Sequence, residues 1–310
     1  MRVAISNQLL RDRSFVEQCE TAAALGYQGL EISPYTVAPK GDANRLDPAY
    51  GEYLLDTAQF HGLSIVGLNE VFVGTDRLND ARGFHLNDPD DDLRRETLNY
   101  LKHLAKLCYA MEGKVLLIGS PAQRNLLTGW SVDECAYRTA DLLRELAEYC
   151  APLGLTIGIT PLPHYQTNFL TSARETTILL NIIDHPNCKL HLGTRELSYE
   201  LDPNTPGTPT PKGVTPNLAQ VEEYMSHLIR FHKNRLCHMT INERQALCPG
   251  QSQMTHQPYA QALHDIGYDG WATVDGRATG EVSPNQFAEA AISFVRSTYP
   301  MHTMELAQVS

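Results

Sequence analysis

The chain has 310 residues, 42% of them hydrophobic and 20% charged, and a formal net charge of -11. That length and composition give room for a large α/β core, and the acidic balance argues against a protein that follows nucleic-acid phosphates with a basic face. The opening Met1-Arg-Val-Ala-Ile-Ser enters a strand-like run without a basic segment or a long apolar stretch, so neither a signal peptide nor a membrane span is expected, and the cytoplasm is the expected location. The seven cysteines are scattered, odd in number and without a Cys-x-x-Cys pair, which disfavours a disulfide framework and a zinc knuckle.

One junction recurs along the chain: Leu25-Gly-Tyr-Gln-Gly-Leu-Glu-Ile-Ser, His61-Gly-Leu-Ser-Ile, Glu112-Gly-Lys-Val, Leu153-Gly-Leu-Thr-Ile and Ile266-Gly-Tyr-Asp-Gly-Trp. In each, glycine takes the left-handed turn past a helix and a strand begins. Period then predicts strands over 2–6, 30–33, 63–68, 114–118, 155–160, 188–192, 236–241 and 271–275, with helices over 15–25, 95–111 and 132–150. Strict alternation implies parallel strands with right-handed crossovers. The expectation is an α/β fold, a closed (β/α)8 TIM barrel forming a single domain over residues 1–310, with an open doubly wound sheet as the alternative. The first turn reads Ile5-Ser-Asn-Gln and lacks the Gly-x-Gly-x-x-Gly of a dinucleotide site. Two polar insertions, 71–92 and 199–217, are placed on the carboxyl face as lids or solvated loops.

In a barrel, the strand carboxyl ends carry the chemistry. The strand over 155–160 runs into Pro161, which ends the ladder, and then into a loop dense in hydrogen-bonding groups. The expected ends bring together Glu31, Glu70, Ser120 with Gln123 and Arg124, Thr160 with His164 and Gln166, Arg195 with Glu196, His238 with Arg244, and Asp275 with Arg277. Such a polar ring suits a small polyhydroxylated ligand, although any one member is more often a solvated or salt-bridged side chain. His238 and Asp275 are the metal-ligand candidates by residue type. A His hydrogen-bonded to a carboxylate without metal is the equal alternative.

The motifs Ala4-Ile-Ser-Asn, Gly26-Tyr-Gln-Gly-Leu-Glu-Ile-Ser-Pro-Tyr, Gly119-Ser-Pro-Ala-Gln-Arg-Asn, Thr167-Asn-Phe-Leu, His185-Pro-Asn and Gly267-Tyr-Asp-Gly-Trp resemble the sugar phosphate isomerase/epimerase family with the xylose isomerase-like TIM barrel, which includes the ketose 3-epimerases. The resemblance implies a divalent ion, often manganese, held by Glu, Asp, His and Glu at the ends of the fifth to eighth strands, with the two Glu residues moving protons. On the same resemblance Thr160 stands at the first glutamate, Gly193 at the aspartate, His238 at the histidine and Asp275 at the last glutamate. Gln166 replaces a loop acid, Glu196 a substrate-binding His, and Arg244 keeps an arginine. Losing two anionic ligands lowers affinity for a hard cation, so manganese or magnesium binding is expected to be weak or absent.

These readings give an isomerase- or epimerase-like protein acting on or binding a small carbohydrate-derived molecule, with its usual metal-dependent proton-transfer site altered. Asp275, Glu196, His238 and Arg244 are the candidate catalytic residues, and Glu70, Gln166, Arg195 and His164 the candidate substrate-binding ones. A non-catalytic binding or regulatory module is the second reading. A zinc-dependent endonuclease on a related barrel is a poor third, because Thr160 and Gly193 delete two ligands. No nucleic-acid or membrane partner is expected, and a homo-oligomer is expected from the resemblance alone.

Overall fold

The alternation of β-branched runs with amphipathic helices resolves into a closed parallel barrel. A computed structural model describes residues 1–74, 83–202, 208, 210–278, 280 and 282–301. Its strands are β1 (Arg2–Ser6), β2 (Gly29–Ile32), β3 (Ser64–Leu68), β4 (Val115–Ile118), β5 (Thr156–Ile159), β6 (Cys188–Gly193), β7 (Leu236–Ile241) and β8 (Trp271–Val274). They pair in chain order, and β8 closes on β1 through Arg2 with Trp271 and Ile5 with Val274. This is the TIM barrel that the sequence predicts; the doubly wound alternative is excluded by the closure.

The helices outside the barrel are α1 (Phe15–Leu25), α2 (Pro34–Val37), α3 (Tyr50–Phe60), α4 (Asp91–Ala110), α5 (Val132–Cys150), α6 (Ala173–Ile183), α7 (Thr194–Glu200), α8 (Leu218–His232), α9 (Gln257–Asp265) and α10 (Pro284–Thr298). Their starts follow capping chemistry. Ser14 with Glu17 and Ser283 with Gln286 form reciprocal capping boxes at α1 and α10. Helix α4 begins before the expected 95 because the Asp90 side chain accepts from the Asp92 and Leu93 N–H groups. The glycine junctions hold at Gly26 (φ 82), Gly62 (φ 72), Gly154 (φ 67) and Gly267 (φ 62). At the fifth junction Glu112, not Gly113, takes the left-handed turn. Gly113 is needed there for space, since a Cβ would meet Cys108 Sγ at 2.7 Å.

Strand residues alternate between two environments. Val3, Ile5, Leu30, Ile32, Leu116 and Ile118 join the apolar layer between barrel and helices. Ala4, Val66, Val115 and Leu117, with Trp271 against them, form a separate plug inside the barrel. Above the plug the inward positions turn polar. The two register shifts in the sheet fall beside such residues, between Leu30 and Glu31 and between Leu190 and His191. A bulge re-aims the side chain next to it, here toward the barrel axis.

The insertion over 71–92 ends in the first turn of α4, and that over 199–217 begins in the last turn of α7. Residues 75–82, 203–207 and 209 of these loops lie outside the described residues, and with them the expectation that the loops act as lids. Among the described residues no helix is long and apolar enough to cross a membrane.

Candidate active site

The barrel mouth is built in tiers because alternate residues of each strand face inward. The deepest polar tier joins β2, β7 and β8. His238 Nε2 lies 3.0 Å from Glu31 Oε2 and 2.9 Å from Thr273 Oγ1, Thr273 Oγ1 donates to the same Glu31 oxygen at 3.0 Å, and Asn69 Nδ2 donates to Glu31 Oε1 at 2.9 Å. Both members of the His238–Glu31 pair are sealed from solvent. Burial works against the Glu31 charge, yet its hydrogen bonds to His238 and Asn69 hold its pKa below the usual glutamate value.

The next tier joins β5, β6 and β7. His191 Nδ1 lies 2.8 Å from Thr160 Oγ1, and His191 Nε2 lies 2.8 Å from Thr240 Oγ1. Burial first, then the neighbouring His238 ring at 5.3 Å, pushes the His191 pKa down to about 3, so the imidazole is neutral. Thr160 is fixed from behind by Arg124. The Arg124 guanidinium is fully buried and donates to the carbonyls of Ile118 and Thr160 at 2.8 Å each and of Ser120 at 3.3 Å. It therefore ties the end of β4 to the end of β5 instead of facing a ligand, and burial lowers its pKa to about 10.

The uppermost tier carries the carboxylates. Gly193 ends β6, and α7 follows at once, so Arg195 and Glu196 stand in the first turn of a helix at the mouth. Arg195 Nε donates to Glu196 Oε1 at 2.7 Å, and Asn242 Nδ2 donates to Glu196 Oε2 at 3.0 Å. Asn242 Oδ1 in turn accepts the Arg195 N–H at 2.8 Å. Burial opposes the Arg195 charge, but Glu196 and then Asp275 raise its pKa above the usual arginine value. Asp275, two residues beyond Thr273, keeps a buried Oδ1 without a hydrogen-bond partner. Burial, and then the charge of Glu70, raise its pKa to about 7 against the pull of Arg195. Glu70 enters from β3 through a left-handed turn (φ 50), accepts from Ser33 Oγ at 3.1 Å, and is pushed up by burial.

The structure thus brings Asp275, Arg195, Glu196 and Glu70 into one electrostatic neighbourhood, as the strand-end expectation requires. Two of the four candidate catalytic residues stand elsewhere. His238 turns its Nε2 to Glu31 and Thr273, not to Asp275, because it sits two residues deeper in β7 than Thr240. Arg244 lies at the rim, donating to Ser198 Oγ at 2.9 Å and Ser198 O at 2.7 Å, with its guanidinium 4.5 Å from the Tyr199 ring centre. There it lines a side cavity of about 840 Å³ with Ser198, Ser252 and Tyr259. The rim continues through Tyr199, whose ring lies 4.9 Å from that of Tyr165, and Gln166 donates to the Tyr165 hydroxyl at 3.2 Å. His164 is beside Tyr165 with its Nδ1 buried and unpartnered.

His191, Thr240 and Asn242 were not expected at the site. The signal was present as period two: His191 stands between Leu190 and Leu192, and His238, Thr240 and Asn242 alternate with apolar Met239 and Ile241. Among the described residues, no group of three or more His, Cys, Asp or Glu side chains is placed to hold a metal ion.

The chain is similar to several sugar epimerases in sequence and in fold. Fructoselysine 3-epimerase from Shigella flexneri is 24% identical over 289 residues, covering 90% of this chain and 91% of its own. The D-psicose 3-epimerase of Clostridium cellulolyticum, solved with D-tagatose, superposes with a TM-score of 0.73 at 18% identity, covering 97% of this chain and all of its own. The 3-keto-D-glucoside 4-epimerase of E. coli gives the same TM-score at 15% identity, covering 96% of this chain and 99% of its own. Residues 19–298 match the family model described as the xylose isomerase-like TIM barrel, and the chain belongs to that family.

Proposed function

We propose that the chain transfers a proton beside the carbonyl of a small carbohydrate-derived ligand, an epimerase- or isomerase-type step that does not use a divalent ion at the family's usual position. The relatives named above act on sugar derivatives, which supports the ligand class. Four positions bear on the ion. Thr160 engages His191, Gly193 has no side chain, His238 engages Glu31 through Nε2 and keeps only its Nδ1 unpartnered, and Asp275 is the one of the four with a free oxygen donor. One carboxylate without its companions is a poor match for a hard cation, which takes six or more oxygens. The residues do not fit the metal, and no step is routed through one.

The observation that carries this reading is Asp275 Oδ1, buried and unpartnered beside the Arg195–Glu196 pair. A base that is ionised near neutrality and not occupied by a protein donor can take a proton from carbon, while a fixed guanidinium orients the anion that forms. Arg195 serves that role here. Glu196 holds Arg195 in place, Glu70 and Gln166 are proposed hydroxyl partners, and His164, His238 and Arg244 support the mouth from below and from the rim.

The test is solvent deuterium incorporation into D-fructose, D-tagatose, D-allulose and L-ribulose by chelator-treated protein. Wild type is expected to label at least one sugar, and Asp275→Asn to lose at least 100-fold in rate while keeping the thermal transition. No labelling by wild type in any of the four, combined with saturable binding of one, would favour the non-catalytic binding module.

A further inference from the structure

The Thr160–His191–Thr240 chain bridges three strands at the floor of the mouth, and its chemistry depends on a simple count. A neutral imidazole donates from one nitrogen and accepts at the other. One of the two threonine hydroxyls therefore donates to the ring and the other accepts from it. Neither Oγ1 has another hydrogen-bond partner among the described residues. The hydroxyl that accepts from the ring thus has an O–H left over, and the one that donates has lone pairs left over. Both face the inside of the barrel because both meet the inward His191. Exchanging the two roles with every group left neutral takes four proton moves in concert, one bringing a proton to the first hydroxyl from outside the chain and one carrying a proton away from the second.

We propose that Thr160, His191 and Thr240 form a charge-neutral proton relay beneath the ligand, which passes a proton between the two oxygens of the enediolate that forms when Asp275 takes the carbon-bound proton. This rests on the reading of the mouth as a proton-transfer site. In the relay the ligand O–H bond breaks as its proton joins Thr160 Oγ1. The Thr160 proton passes to His191 Nδ1, the Nε2 proton passes to Thr240 Oγ1, and the original Thr240 proton forms the new O–H bond on the enediolate oxygen that was the carbonyl. One proton has moved between two ligand oxygens, no charge has appeared on the protein, and the reverse step restores the first tautomer.

Such a relay suits a site sealed from water. His191 is 3% exposed, with no carboxylate in hydrogen-bonding contact, so forming an imidazolium there would leave a buried charge unpaired. Shuttling through tautomers avoids that cost. The ligand class that can use it carries a carbonyl next to a hydroxyl, as in a ketose or a keto-sugar. In this assignment Thr160 and Thr240 touch the ligand, and His191 is the positioning residue that couples them.

The experiment is nitrogen NMR of the full chain labelled at histidine, ligand-free at neutral pH, for wild type, Thr160→Val and Thr240→Val. The relay requires a neutral His191 in wild type, protonated on one ring nitrogen and carrying a lone pair on the other, with the choice set by the two hydroxyls. Removing one hydroxyl should leave the lone pair on the nitrogen that lost its partner, giving the Nε2–H tautomer in Thr160→Val and the Nδ1–H tautomer in Thr240→Val. Thr160→Ser and Thr240→Ser should restore the wild-type nitrogen signals, which also covers the case in which a valine variant fails to fold. A single tautomer common to all variants, or an imidazolium in wild type, would overturn the relay. These readouts need no substrate, so they stand apart from the deuterium test. If wild type labels D-fructose, each valine variant should lower kcat at least tenfold with KM within a factor of about two, and an unchanged kcat in both would count against the relay.

Discussion

A Cβ on Gly193 would meet Glu196 Oε2 at 2.0 Å, so the carboxylate from α7 occupies the space that a side chain on β6 would need. The loss of an acid at 193 and the presence of one at 196 are therefore one steric fact. The clash is with the end of a flexible side chain, which gives Gly193→Asp a defined outcome. Two carboxylates would share a buried corner unless Glu196 abandons Arg195 and Asn242, at a cost of about 1–3 kcal/mol. Urea unfolding of Gly193→Asp should show that loss, and Gly193→Asp with Glu196→Ala should recover most of it. A double variant no more stable than the single one would show that the two positions do not compete. Asp275 gives a second prediction at this scale. With its pKa raised to about 7, the base is ionised above and protonated below that value, so the proton-transfer rate should rise through pH 7 toward an alkaline plateau. A flat profile from pH 5 to 9 would remove Asp275 as the base.

At the scale of elements, the ends of β4 and β5 are held by Arg124, a buried cation whose partners are three carbonyl oxygens. Arg124→Met keeps the apolar stem but strands three acceptors in the interior. The expected loss is about 2–4 kcal/mol by urea unfolding, since each unsatisfied buried group costs on the order of 1 kcal/mol or more. A loss below about 1 kcal/mol would mean that water or the backbone replaces the clamp. Arg124 also shows where sequence reading stops. The strands, the helices over 15–25 and 132–150 and four of the five glycine turns were legible because period and capping are local. Whether an arginine beyond a strand faces the mouth or turns beneath it depends on which carbonyls lie within reach, and those belong to residues 118, 120 and 160. His238 failed as a partner of Asp275 for the same reason: depth along β7 is set by pairing with β6 and β8, not by residue type. His191 was legible as an inward polar residue, but its two threonine partners come from other strands.

For the molecule as a whole, one buried acid joins three helices outside the barrel. Glu200 at the end of α7 accepts from the Ala173 N–H at the start of α6 at 2.8 Å and from Tyr224 Oη on α8 at 2.8 Å. Burial nonetheless raises its pKa to about 7. A folded pKa above the unfolded value means that the folded state binds the extra proton. Its contribution is full below about pH 4.5 and is lost as pH rises through 7. Wild type should therefore lose about 2–3 kcal/mol from this group between pH 4.5 and 8, and Glu200→Gln should lack that part of the slope. An identical pH dependence in the two proteins would contradict the assignment.

The central claim is that the barrel mouth moves protons without a divalent ion at the family's position. The most direct measurement is the initial rate of deuterium incorporation into a labelled ketose, made on exhaustively chelated protein and again with millimolar manganese. The account predicts incorporation without metal and no more than a twofold change when manganese is added. Incorporation that vanishes on chelation and returns in proportion to bound manganese would contradict it, and would require ligands other than Thr160 and Gly193 to complete a metal site.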